Sequence, residues 1–192
     1  MRQVTVLAAL ALVFVAPSAQ AGLDGANMNA VYYYPNLASP YGNAIFSPSS
    51  FFTVGAGTET TGVIDGVTTL SVDFTDTTLT ILLSTTLTNP TWGDGDFNGP
   101  LFTLLSSGTL GITGATIDPG TNLAGFDASR VTFSDTQIGI NWEGLPYTTG
   151  DKVVIDFSFA SAPVPEPSSL IAMASGCAAL PLLVLRRRRR AA

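Results

Sequence analysis

The middle of this sequence predicts an all-β fold: a single antiparallel β-sandwich, jelly-roll-like, of about eight to ten strands. Three observations predict it. From Phe51 to Ala160, apolar and polar residues alternate with period two, as in strands with one buried and one wet face. The turn signals Asp65-Gly66, Asp94-Gly95, Asp118-Pro119-Gly120 and Thr149-Gly150-Asp151 separate runs of strand length. Nothing in the same stretch carries a helical period, and Thr, which suits exposed strand faces, is abundant.

Taken in order, residues 1–21 read as a signal peptide. Arg2 is a minimal positive start, Val4 to Val15 an apolar segment, and Ala19-Gln20-Ala21 an A-x-A cleavage site that would free Gly22. Gly22 to Ser50 is rich in Asn, Pro, Tyr and Ser, with Tyr32-Tyr33-Tyr34 followed by Pro35 and Pro40, and reads as an irregular lead-in with room for one short strand. The strand runs follow: Leu70, Val72 and Phe74; Leu79, Ile81 and Leu83; Val131 and Phe133; Ile138, Ile140 and Trp142; Ile155, Phe157 and Phe159. In each, the intervening residues are mostly polar or small, so the named side chains share one face. Residues 22–160 form the expected extracytoplasmic domain, and 142 residues from Gly22 to Pro163 suffice for one core.

Composition excludes several functions. Six of the eight basic residues, Arg2 and Arg186 to Arg190, lie near the ends of the chain. Between Gly22 and Pro163 only Arg130 and Lys152 oppose thirteen acids, a balance of −11 that repels nucleic acid. The chain has no histidine and its one cysteine is Cys177, near the C-terminus, so Ser-His-Asp and Cys-His catalysis, ordinary zinc sites and disulfides in the domain are all excluded. The remaining hydrolytic chemistry is a carboxylate pair acting on a glycosidic bond, drawn from Asp73, Asp76, Glu143 and Asp156. Carboxylates on polar strand faces are ordinarily solvated, and no enzymatic activity is expected.

One loop carries a motif. In Trp92-Gly93-Asp94-Gly95-Asp96-Phe97-Asn98-Gly99, the residues Asp94, Asp96, Asn98 and Gly99 match the opening D-x-D-x-N-G of a calcium loop. The twelfth position is Leu105 rather than a bidentate Glu, and no helices flank it, which rejects an EF-hand. A looser calcium site on Asp94, Asp96 and Asn98 stands beside the plainer reading, a polar hairpin loop. Trp92, Trp142 and Tyr32 to Tyr34 could stack on sugars, and Trp92, set in this acidic loop, is the one expected to be exposed. Trp142 continues the Ile138/Ile140 face and is expected to be buried.

Residues 161–192 are a linker and a three-part tail. Val164-Pro165-Glu166-Pro167 is rigid and extended by its prolines. Ser168 to Leu185 is an apolar run of 18 residues, enough for one C-terminal transmembrane helix of roughly 27 Å. Arg186, Arg187, Arg188, Arg189 and Arg190 then act as a stop-transfer block on the cytoplasmic side. This order resembles the PEP-CTERM sorting signal of Gram-negative bacteria that make extracellular polysaccharide. The resemblance covers about 29 of 192 residues. It implies export through the Sec machinery, temporary anchoring in the inner membrane, processing near Pro165-Glu166-Pro167 by an exosortase-type membrane enzyme, and delivery to the cell surface or extracellular matrix.

A second resemblance lies in the domain. FNGPLF (Phe97 to Phe102), AGFDASRVTF (Ala124 to Phe133) and INWEGLPYTTGDKVVIDF (Ile140 to Phe157) look like the ectodomain of many PEP-CTERM proteins of uncharacterised activity. The expected role is structural or adhesive within an exopolysaccharide matrix. A carbohydrate-binding module is the alternative, and a carboxylate glycosidase ranks behind both.

Overall fold

Leu70, Val72 and Phe74 are fully buried, while Ser71 and Asp73 between them stay half-exposed. That alternation makes Thr68–Phe74 a strand, and it recurs along the domain. The computed structural model describes residues 22–160. The signal peptide, its Ala19 and Ala21, the Val164 to Pro167 motif, the apolar run and Arg186 to Arg190 lie outside the described residues. Of two compact units, Met1–Ala160 and Ser161–Ala192, the first holds every described residue.

The strands are β1 (Asn27–Tyr33), β2 (Ala44–Ser47), β3 (Phe51–Thr53), β4 (Thr60–Ile64), β5 (Thr68–Phe74), β6 (Thr78–Thr85), β7 (Gly99–Leu104), β8 (Ile112–Ile117), β9 (Val131–Phe133), β10 (Gln137–Ile140) and β11 (Lys152–Phe159). One short 3₁₀ turn, Ala128–Arg130, precedes β9, with the Asp127 carboxylate accepting from Ser129 N. A five-stranded sheet has the order β3-β1-β7-β10-β9, and a six-stranded sheet the order β2-β4-β5-β6-β11-β8. Every pairing between the named strands is antiparallel.

The turn signals set register. At Asp65-Gly66 both φ angles are positive, 53° and 70°, the type I′ geometry that matches strand twist, and Ile64 pairs with Thr68 across it. Beyond Phe74, Thr75 N donates to Thr78 O at 2.9 Å and closes the β5–β6 turn. At the third signal, Gly120 N donates to Asp118 Oδ1 at 2.6 Å. At the fourth, Thr148 N donates to Asp151 Oδ2 at 2.6 Å.

The inner faces of both sheets form one core. Met28, Phe102, Ile138 and Ile140 of the first sheet and Leu70, Ile81, Val153 and Ile155 of the second are fully buried. Phe74 and Phe102 meet edge-to-face across the sheets at 5.0 Å.

Three details differ from the sequence expectation. The lead-in is not irregular: β1 is an inner strand between β3 and β7, and β2 is an edge strand of the other sheet. Met28, Ala30 and Tyr32 are the buried set of β1, an alternation carried by weak hydrophobes and masked by apolar Val31 on the other face and by Asn27, Asn29 and Tyr33 beside them. Phe133 is 39% exposed although it shares a face pattern with buried Val131, because β9 is an edge strand. Among the described residues eleven strands replace the expected eight to ten, the surplus being three-residue edges such as β3 and β9.

Candidate functional site

At one end of the domain several loops converge: the approach from β1 to β2, the β4–β5 turn, the long β6–β7 connection and the β10–β11 connection. Together they enclose a pocket of about 230 Å³ lined by aromatic side chains, among them Tyr32, Tyr34, Tyr41, Trp92 and Tyr147, with Asp65 at its edge.

Its floor is a hydrogen-bonded aromatic stack. Trp92 lies on Tyr147 at 4.3 Å and 14°, and on Trp142 at 5.3 Å and 25°. Trp142 Nε1 donates to Tyr32 Oη at 2.7 Å, and Tyr32 Oη donates in turn to Asn98 Oδ1 at 2.7 Å. Asn98 Nδ2 donates to Gly93 O at 2.9 Å, and Asn98 N donates to Asn141 Oδ1 at 3.0 Å. Tyr147 Oη and Thr68 Oγ1 are 2.9 Å apart, joining the stack to β5. Burial holds the Tyr32 phenol well above its ordinary pKa, an effect the Trp142 N–H only partly offsets.

Trp92 corrects the sequence expectation. It is only 6% exposed, so its faces are committed to other rings rather than to a ligand. Trp142 is fully buried, as its place on the β10 face predicts. The half-buried tyrosines, Tyr34 and Tyr41, are the rings that border the pocket with surface to offer. They meet edge-on at 5.8 Å. Tyr41 Oη donates to both Asp65 oxygens, at 2.8 and 3.1 Å, and Asn43 Nδ2 donates to Asp65 Oδ1 at 3.1 Å. The hydrogen bond to the Asp65 carboxylate, more than desolvation, raises the Tyr41 pKa.

The loop from Trp92 to Gly99 is held against the fold. A Cβ on Gly99 would fall on Ile140 O, and one on Gly95 would lie 2.6 Å from Pro35 O. Neither glycine has a positive φ, so both serve close approach rather than a turn. Asp94 and Asp96 are exposed, whereas Asn98 is buried with its Oδ1 taken by Tyr32. The three oxygens proposed for calcium therefore do not face one open cradle. Among the described residues no group of three His, Cys, Asp or Glu side chains is placed to hold a metal ion.

The carboxylates weighed for hydrolysis are spread out. Asp73 on β5 and Asp156 on β11 lie on opposite sides of β6 and, facing Thr80 and Thr78 respectively, are also offset by two residues along the strands, so their backbones are roughly 12 Å apart. Asp76 sits in the exposed β5–β6 turn, and Glu143 follows Trp142 near Arg130, whose guanidinium donates to Glu143 O at 2.8 Å.

Sequence reasoning missed Asn98 as a structural hub, and it missed Tyr41 and Asp65 as a pair. The first lay inside the Asp94–Gly99 motif, read there as a calcium loop or a polar hairpin loop; the second joins residues 24 positions apart and had no signal. No family model, no curated protein and no solved structure matches this chain. No helix among the described residues is long and apolar enough to cross a membrane.

Proposed function

We propose that this chain is an exported, non-catalytic surface or matrix protein, carried out by the Sec machinery and sorted by an exosortase-type membrane enzyme acting on a PEP-CTERM tail. The observation that carries the reading is the order at the C-terminus: Val164-Pro165-Glu166-Pro167, an 18-residue apolar run, then five arginines. The run holds the motif at the outer face because it barely spans. The arginines fix its depth, each costing about 2.5–3.5 kcal/mol to place at the bilayer centre. The domain is read as jelly-roll-like because the chain alternates sheets, from β1 to β2, β2 to β3, β3 to β4, and again from β6 through β9. Its role is structural or adhesive in an exopolysaccharide matrix.

Replacing Pro165-Glu166-Pro167 with three alanines is the test. The full-length protein should remain anchored in the inner membrane, while deleting the apolar run or the arginines should release unprocessed chain. A triple-alanine protein that matures and reaches the surface like wild type makes the motif a mere linker and ends the sorting reading.

The pocket supports a second reading, a carbohydrate-binding module. Tyr34 and Tyr41 offer apolar ring surface beside one carboxylate, Asp65, a combination suited to a neutral or amino sugar. With thirteen acids and two bases in the domain, anionic polysaccharide is disfavoured. Binding of a neutral glucan or chitosan that is lost in Tyr41→Ala supports this reading; retention by that variant removes the pocket from it.

A further inference from the structure

Gly22 is buried, although it is the residue that signal-peptide cleavage would leave first. It is pressed against the β5–β6 turn. A Cβ there would overlap Asp76 Oδ1 and lie 2.5 Å from Cγ and 2.7 Å from Oδ2, so the carboxylate lies directly against the glycine. The next residues hold this arrangement. Leu23 N donates to Asp76 O at 2.8 Å, Asp24 N donates to Asp76 Oδ1 at 3.3 Å, and Gly25 N donates to Val54 O at 2.9 Å. The Leu23 side chain is fully buried in the core, which pins the segment from the other side.

We propose that Asp76 is the receptor for the α-ammonium created at Gly22 when the signal peptide leaves. This rests on the cleavage reading above. Water adds across the Ala21–Gly22 amide, Ala21 departs as a carboxylate, and Gly22 N takes up protons to become an ammonium beside the Asp76 carboxylate. Before cleavage the same nitrogen is a neutral amide with one N–H. Afterwards it carries a positive charge and three donors, against a carboxylate already in place. The two bases of the domain are placed elsewhere: Arg130 donates to Glu143 O, and the Lys152 ammonium lies near Gly120. The new terminus thus adds a third positive charge to a strongly acidic domain, at a point where a carboxylate waits for it. A side chain at this position would meet the Asp76 carboxylate and separate it from the terminus. Cleavage therefore tightens the fold as well as freeing it.

The test uses the chain from Gly22 onwards, with its α-amine free or acetylated, melted in wild-type, Asp76→Asn and Asp24→Asn forms. Acetylation should lower the wild-type Tm by about 1–4 °C at low salt, as expected for one exposed ion pair. It should have no effect in Asp76→Asn and a wild-type effect in Asp24→Asn, which removes the same charge nearby. The wild-type gap should close in molar salt. Gly22→Ala supplies a second break should Asp76→Asn fold poorly: it keeps the ammonium but displaces it, and should erase the acetylation effect. An equal effect of acetylation in wild type and Asp76→Asn, or none in wild type, overturns the proposal. Mass spectrometry of the exported chain is a separate readout. A terminus other than Gly22 ends the cleavage reading, while the melts still decide whether Asp76 holds an ammonium there.

Discussion

The two ends of this domain are both built from aromatic side chains, yet they are held together differently. At the end bearing the Gly22 segment, Phe52, Phe74 and Phe102 pack by shape alone, with centroids 5.0 to 6.4 Å apart. At the pocket end, Tyr32, Trp92, Trp142 and Tyr147 stack, and a chain of hydrogen bonds runs from Trp142 through Tyr32 and Asn98 to the Gly93 carbonyl. A phenylalanine core tolerates another hydrocarbon of similar size. A tyrosine–tryptophan core does not, because its rings bring polar atoms that are costly to bury unpartnered: Trp142 Nε1, Tyr32 Oη and Tyr147 Oη are paired, and Trp92 Nε1 is left without a partner among the described residues. The second end therefore fixes its loops in one arrangement, which is what a rigid pocket wall needs.

The sharpest way to break this comparison is to truncate one ring from each end. Trp142→Ala should cost about 3–5 kcal/mol, since it opens a cavity beneath Trp92 and removes the donor to Tyr32. Phe74→Ala, the same truncation at the other end, opens a cavity without stranding a polar partner and should cost less. Urea denaturation of both gives the answer, and equal losses would mean that the hydrogen bonds add nothing to the contrast.

A comparable loss isolates the hydrogen bonds from the rings. Tyr32→Phe removes one hydroxyl but strands both Trp142 Nε1 and Asn98 Oδ1, at about 1–3 kcal/mol for each buried group. The same phenol predicts an alkaline limb. Its folded pKa is raised mainly by burial, so the folded state keeps its proton where the unfolded chain ionises, near about pH 10. Stability is then present below that pH and is lost as pH rises from there towards the folded pKa. The Tyr32→Phe chain should lack this contribution to the slope.

Calcium is expected to move the melt by nothing measurable. Asn98 spends its oxygen on Tyr32, and Asp94 with Asp96 alone makes a sparse set of ligands. Scanning calorimetry with millimolar calcium and with chelator checks it, and a calcium-dependent rise in Tm would restore the loop as a metal site.

A modest pH effect belongs to the phenylalanine end. Glu59 accepts from Gly55 N at 3.1 Å and from Phe74 N at 2.6 Å, yet burial outweighs these bonds and raises its pKa. For an acid raised in this way, the contribution to stability is complete below about pH 4.5 and is lost as pH rises through the folded pKa. Glu59→Gln should flatten that part of the stability profile, and an unchanged slope would assign it to another carboxylate.

The sequence alone determined the all-β class, the faces of β5, β6, β10 and β11, and the hairpin at Asp65-Gly66. Each of these is local: alternation sorts side chains by water contact, and Asp-Gly admits the positive φ values of a I′ turn. It also carried the order of the C-terminal tail, on which the sorting proposal rests. Tertiary structure decided the remainder. β1 is an inner strand because β3 and β7 flank it, although Asn and Tyr disguise its pattern. Trp92 is buried because Trp142 and Tyr147, some 50 residues away in sequence, cover its faces. Asn98 left an expected ligand set for a core hydrogen bond because Tyr32, 66 residues earlier, is placed beneath it. In a two-sheet fold neighbours come from distant strands, so the pairing of polar atoms in the core is settled only when the sheets meet.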